Sequence, residues 1–106
     1  KAYNDGNYTE AADMLSALVD KGKGPAIAYF YNGLAQMESS RYDRAIEQFE
    51  YLLSNYYVYG QEATWYMALC HLKTGNTAKT KALLNELAKE KGIYREKSVN
   101  LLRKLD

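Results

Sequence analysis

The chain is poor in the residues that build catalytic centres and covalent staples. Its one cysteine, Cys70, has no partner for an intramolecular disulfide, which excludes a disulfide scaffold and leaves the compartment unknown. Its one histidine, His71, is the next residue, and neighbours on a helix point about 100° apart, so a Cys–His nucleophilic pair is not expected. A lone Cys and a lone His also fall short of an ordinary structural zinc site. No apolar run approaches the roughly 20 residues of a spanning helix. The opening Lys1-Ala2-Tyr3-Asn4-Asp5 carries neither an initiator Met nor a signal-peptide core, so the chain reads as a fragment of a longer protein, with any membrane anchor upstream. A single Pro and seven Gly, with no Ser- or Pro-rich tract, supply no linker, and residues 1–106 read as one domain. Gly22-Lys23-Gly24 lacks the spacing and strand context of a phosphate loop. Carboxylates such as Glu47 and Glu50 read as solvated helix charges. No enzyme activity, cofactor or metal is expected.

At 106 residues the chain buries only roughly 60–65% of its unfolded surface, so its elements must share apolar faces economically. Stacked helices do this well. The net charge of +1 hides a split: residues 1–70 hold five Lys/Arg against nine Asp/Glu, and residues 71–106 hold nine against four. A basic end of this kind fits nucleic acid or anionic membrane, but Glu86, Glu90 and Glu96 interrupt it, and solvated helix faces explain it as well.

What the sequence has in place of motifs is self-similarity. Gly6-Asn7-Tyr8-Thr9-Glu10-Ala11 aligns with Ser40-Arg41-Tyr42-Asp43-Arg44-Ala45 at an offset of 34. Leu15 then falls on Phe49 and Leu18 on Leu52. A third copy, Gly75-Asn76-Thr77-Ala78-Lys79-Thr80 with Leu84 and Leu87, lies one residue further along, the extra residue belonging to a loop. Apolar residues recur at steps of three and four within each copy, and again in Ile27, Phe30, Leu34, Met37 and in Trp65, Leu69, Leu72. That is the helix period, so each copy is a pair of helices. Gly6 and Gly75 suit the turn inside a pair. Gly22, Gly24, Gly60 and Gly92 fall between helices, Pro25 suits a first helical turn, and Asn7 with Glu10 resembles a capping box. Helices are expected near 8–21, 25–38, 42–55, 60–73, 77–90 and 93–105.

On these residues the chain resembles the tetratricopeptide repeat family, whose period is 34. The resemblance rests on Gly33, Tyr42, Ala45, Phe49 and Leu52 in the middle copy, on Tyr8, Ala11, Leu15 and Leu18 in the first, and on Ala68, Gly75, Thr80, Leu84 and Leu87 in the third. It implies an all-α fold, a right-handed superhelix of antiparallel helix pairs, with repeats near 1–22, 25–56 and 60–91. The first repeat is truncated to Lys1–Asp5 in its first helix, and Tyr94, Ser98, Leu101, Leu102 and Leu105 look like a capping helix over the open end. Small residues such as Gly33 and Ala45, or Ala68 and Thr80, allow paired helices to touch. Thr80 departs from the usual Ala and Ser40 from the usual Gly. Tyr29-Phe30-Tyr31-Asn32-Gly33 and Trp65-Tyr66-Met67-Ala68 are also similar in style to repeat domains of bacterial membrane-anchored proteins.

The resemblance further implies that the first helix of each pair lines a concave groove. Its candidate residues are Ile27, Phe30, Leu34, Met37 and Glu38 from one pair and Glu62, Trp65, Leu69, Leu72 and Lys73 from the next. This is an apolar groove with charged edges. It lacks the Lys, Arg and Asn expected of a clamp for a terminal carboxylate, so a protein or peptide partner with an apolar segment is the expectation, with Phe30 and Trp65 as anchors. The same residues fit burial within the chain or in a homodimer. The Tyr56, Tyr57 and Tyr59 cluster suits half-buried packing, or stacking on bases or sugars.

Overall fold

A computed structural model describes residues 8–19 and 24–105. The described residues form six α-helices: α1 (Tyr8–Val19), α2 (Ala26–Glu38), α3 (Tyr42–Asn55), α4 (Gly60–Lys73), α5 (Thr77–Lys89) and α6 (Tyr94–Leu105). There is no strand among them. Each helix packs on its neighbour in sequence, and the first helices of successive pairs also meet, α2 with α4 and α4 with α6. The all-α array of antiparallel pairs is therefore what the period implied, with α2–α3 and α4–α5 as the complete pairs. The expected remnant of a first helix, the Asn7–Glu10 cap, Gly6, Gly22 and the side chains of Tyr8 and Leu18 lie outside the described residues.

The two turns inside the pairs are built alike, 35 residues apart. After α2, Arg41 N–H donates to the Gln36 carbonyl at 2.8 Å and Ser40 N–H to the Met37 carbonyl at 3.0 Å. After α4, Asn76 N–H donates to the His71 carbonyl at 2.8 Å and Gly75 N–H to the Leu72 carbonyl at 3.1 Å. This double bond pattern needs a left-handed residue just past the helix, and Ser40 (φ 62°) and Gly75 (φ 83°) supply it. Asn76 then caps α5, its side-chain oxygen accepting from Lys79 N–H at 3.3 Å. Pro25, expected inside the first turn of α2, instead precedes it at the cap position, with φ −71° and ψ 164°.

The core runs along the array. Val19, Ala28, Tyr29, Ala45, Phe49, Leu52, Ala63, Met67 and Cys70 form one buried cluster, and Ala11, Ala12 and Ala35 a second under Leu15. Close approach of α2 and α3 depends on Gly33, because a Cβ there would stand 2.5 Å from Phe49 Cε1. In the next pair the larger Thr80 is accommodated through its hydroxyl. Fully buried, Thr80 Oγ1 donates to the Asn76 carbonyl at 3.0 Å and lies 3.3 Å from the Ala68 carbonyl. At the far end α6 buries Tyr94 and Ser98 and half-buries Leu101, Leu102 and Leu105.

Candidate functional site

The face shared by α2 and α4 holds an open cavity of about 290 Å³, lined by Met37, Glu38, Ser40, Tyr42, Leu69 and Lys73. Two helices position it. Met37 and Glu38 end α2, and Leu69 and Lys73 lie one turn apart on α4, so contact between α2 and α4 sets the two rows side by side. Its floor is apolar, from the half-buried Met37 and Leu69, and its rim carries the exposed Glu38 and Lys73, one charge of each sign.

Four of the ten residues expected in a groove thus share one cavity. The other six are distributed along the same helices. Phe30 and Leu34 are half-buried against the main core cluster. The Phe30 ring stacks on Tyr59 with centroids 5.1 Å apart and planes within 8°, and meets Tyr66 edge-on at 6.1 Å. Trp65 lies against Tyr94 of α6 at 5.6 Å, with Lys97 Nζ 6.0 Å from the Trp65 ring and 5.6 Å from the Tyr94 ring. Ile27 is exposed, while Glu62 and Leu72 are half-buried outside the cavity. Both aromatic candidates therefore already have ring partners within the chain.

Ser40 and Tyr42 were not among the expected residues. They come from the turn after α2 and the first residue of α3, whereas the family resemblance credits only first helices. The left-handed Ser40 is what turns Tyr42 back towards the end of α2, and the signal for it was the Ser at a position where Gly is usual.

The reactive groups are quiet. Cys70 is fully buried, and burial pushes its thiol up to about 12, so it stays protonated and unreactive at neutral pH. His71 is lowered from its ordinary value, by burial first and by Lys79, with Glu50 and Asp43 opposing, so it is neutral at pH 7. Among the described residues no three His, Cys, Asp or Glu gather as metal ligands would, and no helix is long and apolar enough to cross a membrane.

The sequence profile of the tetratricopeptide repeat matches residues 2–56 and again residues 32–91. No curated protein matches the chain. The two profile matches cover most of the chain and overlap over residues 32–56, the second half of α2 and all of α3. The chain belongs to the tetratricopeptide repeat family, whose arrays are generally protein–protein interaction modules and typically not catalysts.

Proposed function

We propose that the chain holds a short segment of a partner polypeptide across the α2–α4 face, with an apolar side chain of that segment seated between Met37 and Leu69. The observation that carries this reading is the cavity itself. It pairs an apolar floor with one carboxylate and one ammonium on its rim, and its volume of about 290 Å³ accommodates one or two side chains. Charge complementarity orients the partner, with a basic residue towards Glu38 and an acidic residue towards Lys73. An affinity of about micromolar, roughly −8 kcal/mol, is typical of such recognition. Phe30 and Trp65 support the groove through Tyr59 and Tyr94, and Met37 with Leu69 takes over the anchoring role expected of them.

A displayed library of random peptides tests this. Selected peptides are expected to share an apolar residue with charges of opposite sign around it, and to lose binding to Leu69→Asp and Lys73→Glu while the helical circular dichroism of both variants is unchanged. Peptides that bind these folded variants as well as the parent chain would exclude the groove. A second reading, in which the array spaces or dimerises a larger protein, is favoured by the internal packing of Trp65 on Tyr94 and Phe30 on Tyr59. Sedimentation separates the two, since only dimerisation makes the apparent mass rise with concentration.

A further inference from the structure

Three of the four most exposed large apolar side chains among the described residues stand in two loops. Tyr57 is fully exposed, Val58 is 50% exposed and Ile93 is 73% exposed, with only Met14 of α1, at 64%, in their range. Tyr57 and Val58 lie between α3 and α4, and Ile93 between α5 and α6. Both loops join one helix pair to the next and so fall on the same edge of the array. Hydrogen bonds tie that edge together. Gln61 Nε2 donates to the Lys91 carbonyl at 2.9 Å and to Glu90 Oε1 at 3.3 Å, and the Tyr56 hydroxyl donates to the Gly24 carbonyl at 3.0 Å, drawing in the start of α2.

This exposure is not the open end of a repeat stack. Repeats add along the array by covering helix faces, so a missing neighbour would uncover helix faces, whereas loop tips on the long edge stay exposed in an array of any length. Nor do these side chains line a pocket, because a fully exposed ring such as Tyr57 has no wall beside it. What they have is a collar of charge. Lys89, Lys91 and Arg95 flank Ile93, all exposed, with Lys97 following on α6, and they outnumber the carboxylates beside Ile93, namely Glu90, which takes the Gln61 amide, and Glu96 in the first turn of α6; Glu62 lies in the first turn of α4. Projecting apolar and tyrosine side chains on an edge whose Ile93 loop carries a net positive charge match the boundary between lipid headgroups and acyl chains, which demands no complementary shape.

We propose that this edge docks the chain on an anionic lipid surface, with Tyr57, Val58 and Ile93 entering the interface and Lys89, Lys91 and Arg95 meeting the headgroups. The test is flotation of the 106-residue chain with vesicles of phosphatidylcholine mixed with phosphatidylglycerol, beside vesicles of phosphatidylcholine alone. The chain is expected to float with the mixed vesicles, to do so about tenfold less with the neutral ones, and to detach as salt is raised. The double variants Tyr57→Ser/Ile93→Ser and Lys91→Glu/Arg95→Glu should each lower binding by about tenfold or more. Met14→Ser, equally exposed but on α1, should leave binding unchanged. All of these positions are exposed, and circular dichroism of each variant confirms that the fold persists. No flotation with the mixed vesicles overturns the proposal. So does binding that ignores both double variants, or a Tyr57→Ser/Ile93→Ser variant that loses capture of a protein while keeping its lipid binding.

Discussion

Ser40 and Gly75 hold the same left-handed place after α2 and α4, and only one of them is glycine. A side chain in that region costs of order 1 kcal/mol, a cost that Ser40 carries and Gly75 does not. Ser40→Gly is therefore expected to raise stability by about 0.5–1 kcal/mol in urea, with an unchanged slope, whereas a loss of stability would mean that Ser40 does more than turn the chain. Gly33 is the opposite case. A methyl there collides with the fully buried Phe49, so Gly33→Ala should cost about 1–3 kcal/mol by the same measurement. The titrating groups of the interior act together. Burial raises Cys70, and also Tyr29 and Tyr94, so each holds its proton more tightly in the folded chain than in the unfolded one. The stability they give is complete below the unfolded-state values and is lost as pH rises, from about 9 towards about 12 for Cys70. The urea midpoint should fall above about pH 9, and a midpoint that holds level well into the alkaline range would contradict the burial of these groups. Thiol reagents at pH 8 should leave Cys70 unmodified until the chain opens.

At the scale of elements, α6 matters most for how the groove ends, since Tyr94 closes over Trp65. Trp65 is the only tryptophan, so its emission reports on that contact directly. Tyr94→Ala should shift the emission to the red and cost about 3–5 kcal/mol, while an unshifted spectrum would show that α6 does not cover α4 there. The helices themselves were legible. Alternation at three and four residues, with Gly75 and Asn76 at one turn and Ser40 and Arg41 at the other, placed α3 and α4 at their observed bounds and α2, α5 and α6 within a residue. Local chemistry decides those features. What the period could not show was the third dimension of the groove. Met37, Glu38, Leu69 and Lys73 were implied by the resemblance, which credits the first helix of each pair, but Ser40 and Tyr42 reach the cavity only through the closure of a turn. The partner of Phe30 was hidden for a different reason. Tyr59 stacks on it from a backbone with φ 62°, a conformation that a bulky residue adopts only when packing imposes it.

Across the whole molecule, contacts run from each helix to its sequence neighbour and to the first helix of the next pair, so stability is a sum of repeat and interface contributions. Such an array offers two surfaces with different chemistry. The α2–α4 face has an apolar floor with opposed charges at its rim, suited to a polypeptide segment, and the loop edge has projecting apolar side chains with a basic collar. Occupying one does not require the other. The groove reading is tested most directly by mapping backbone amide shifts in the NMR spectrum while a library-selected peptide is titrated in. Shifts centred on Met37, Glu38, Leu69 and Lys73 and abolished in folded Leu69→Asp are the expected result, and shifts confined to α6 or to the loop edge, with those four residues unmoved, would contradict it.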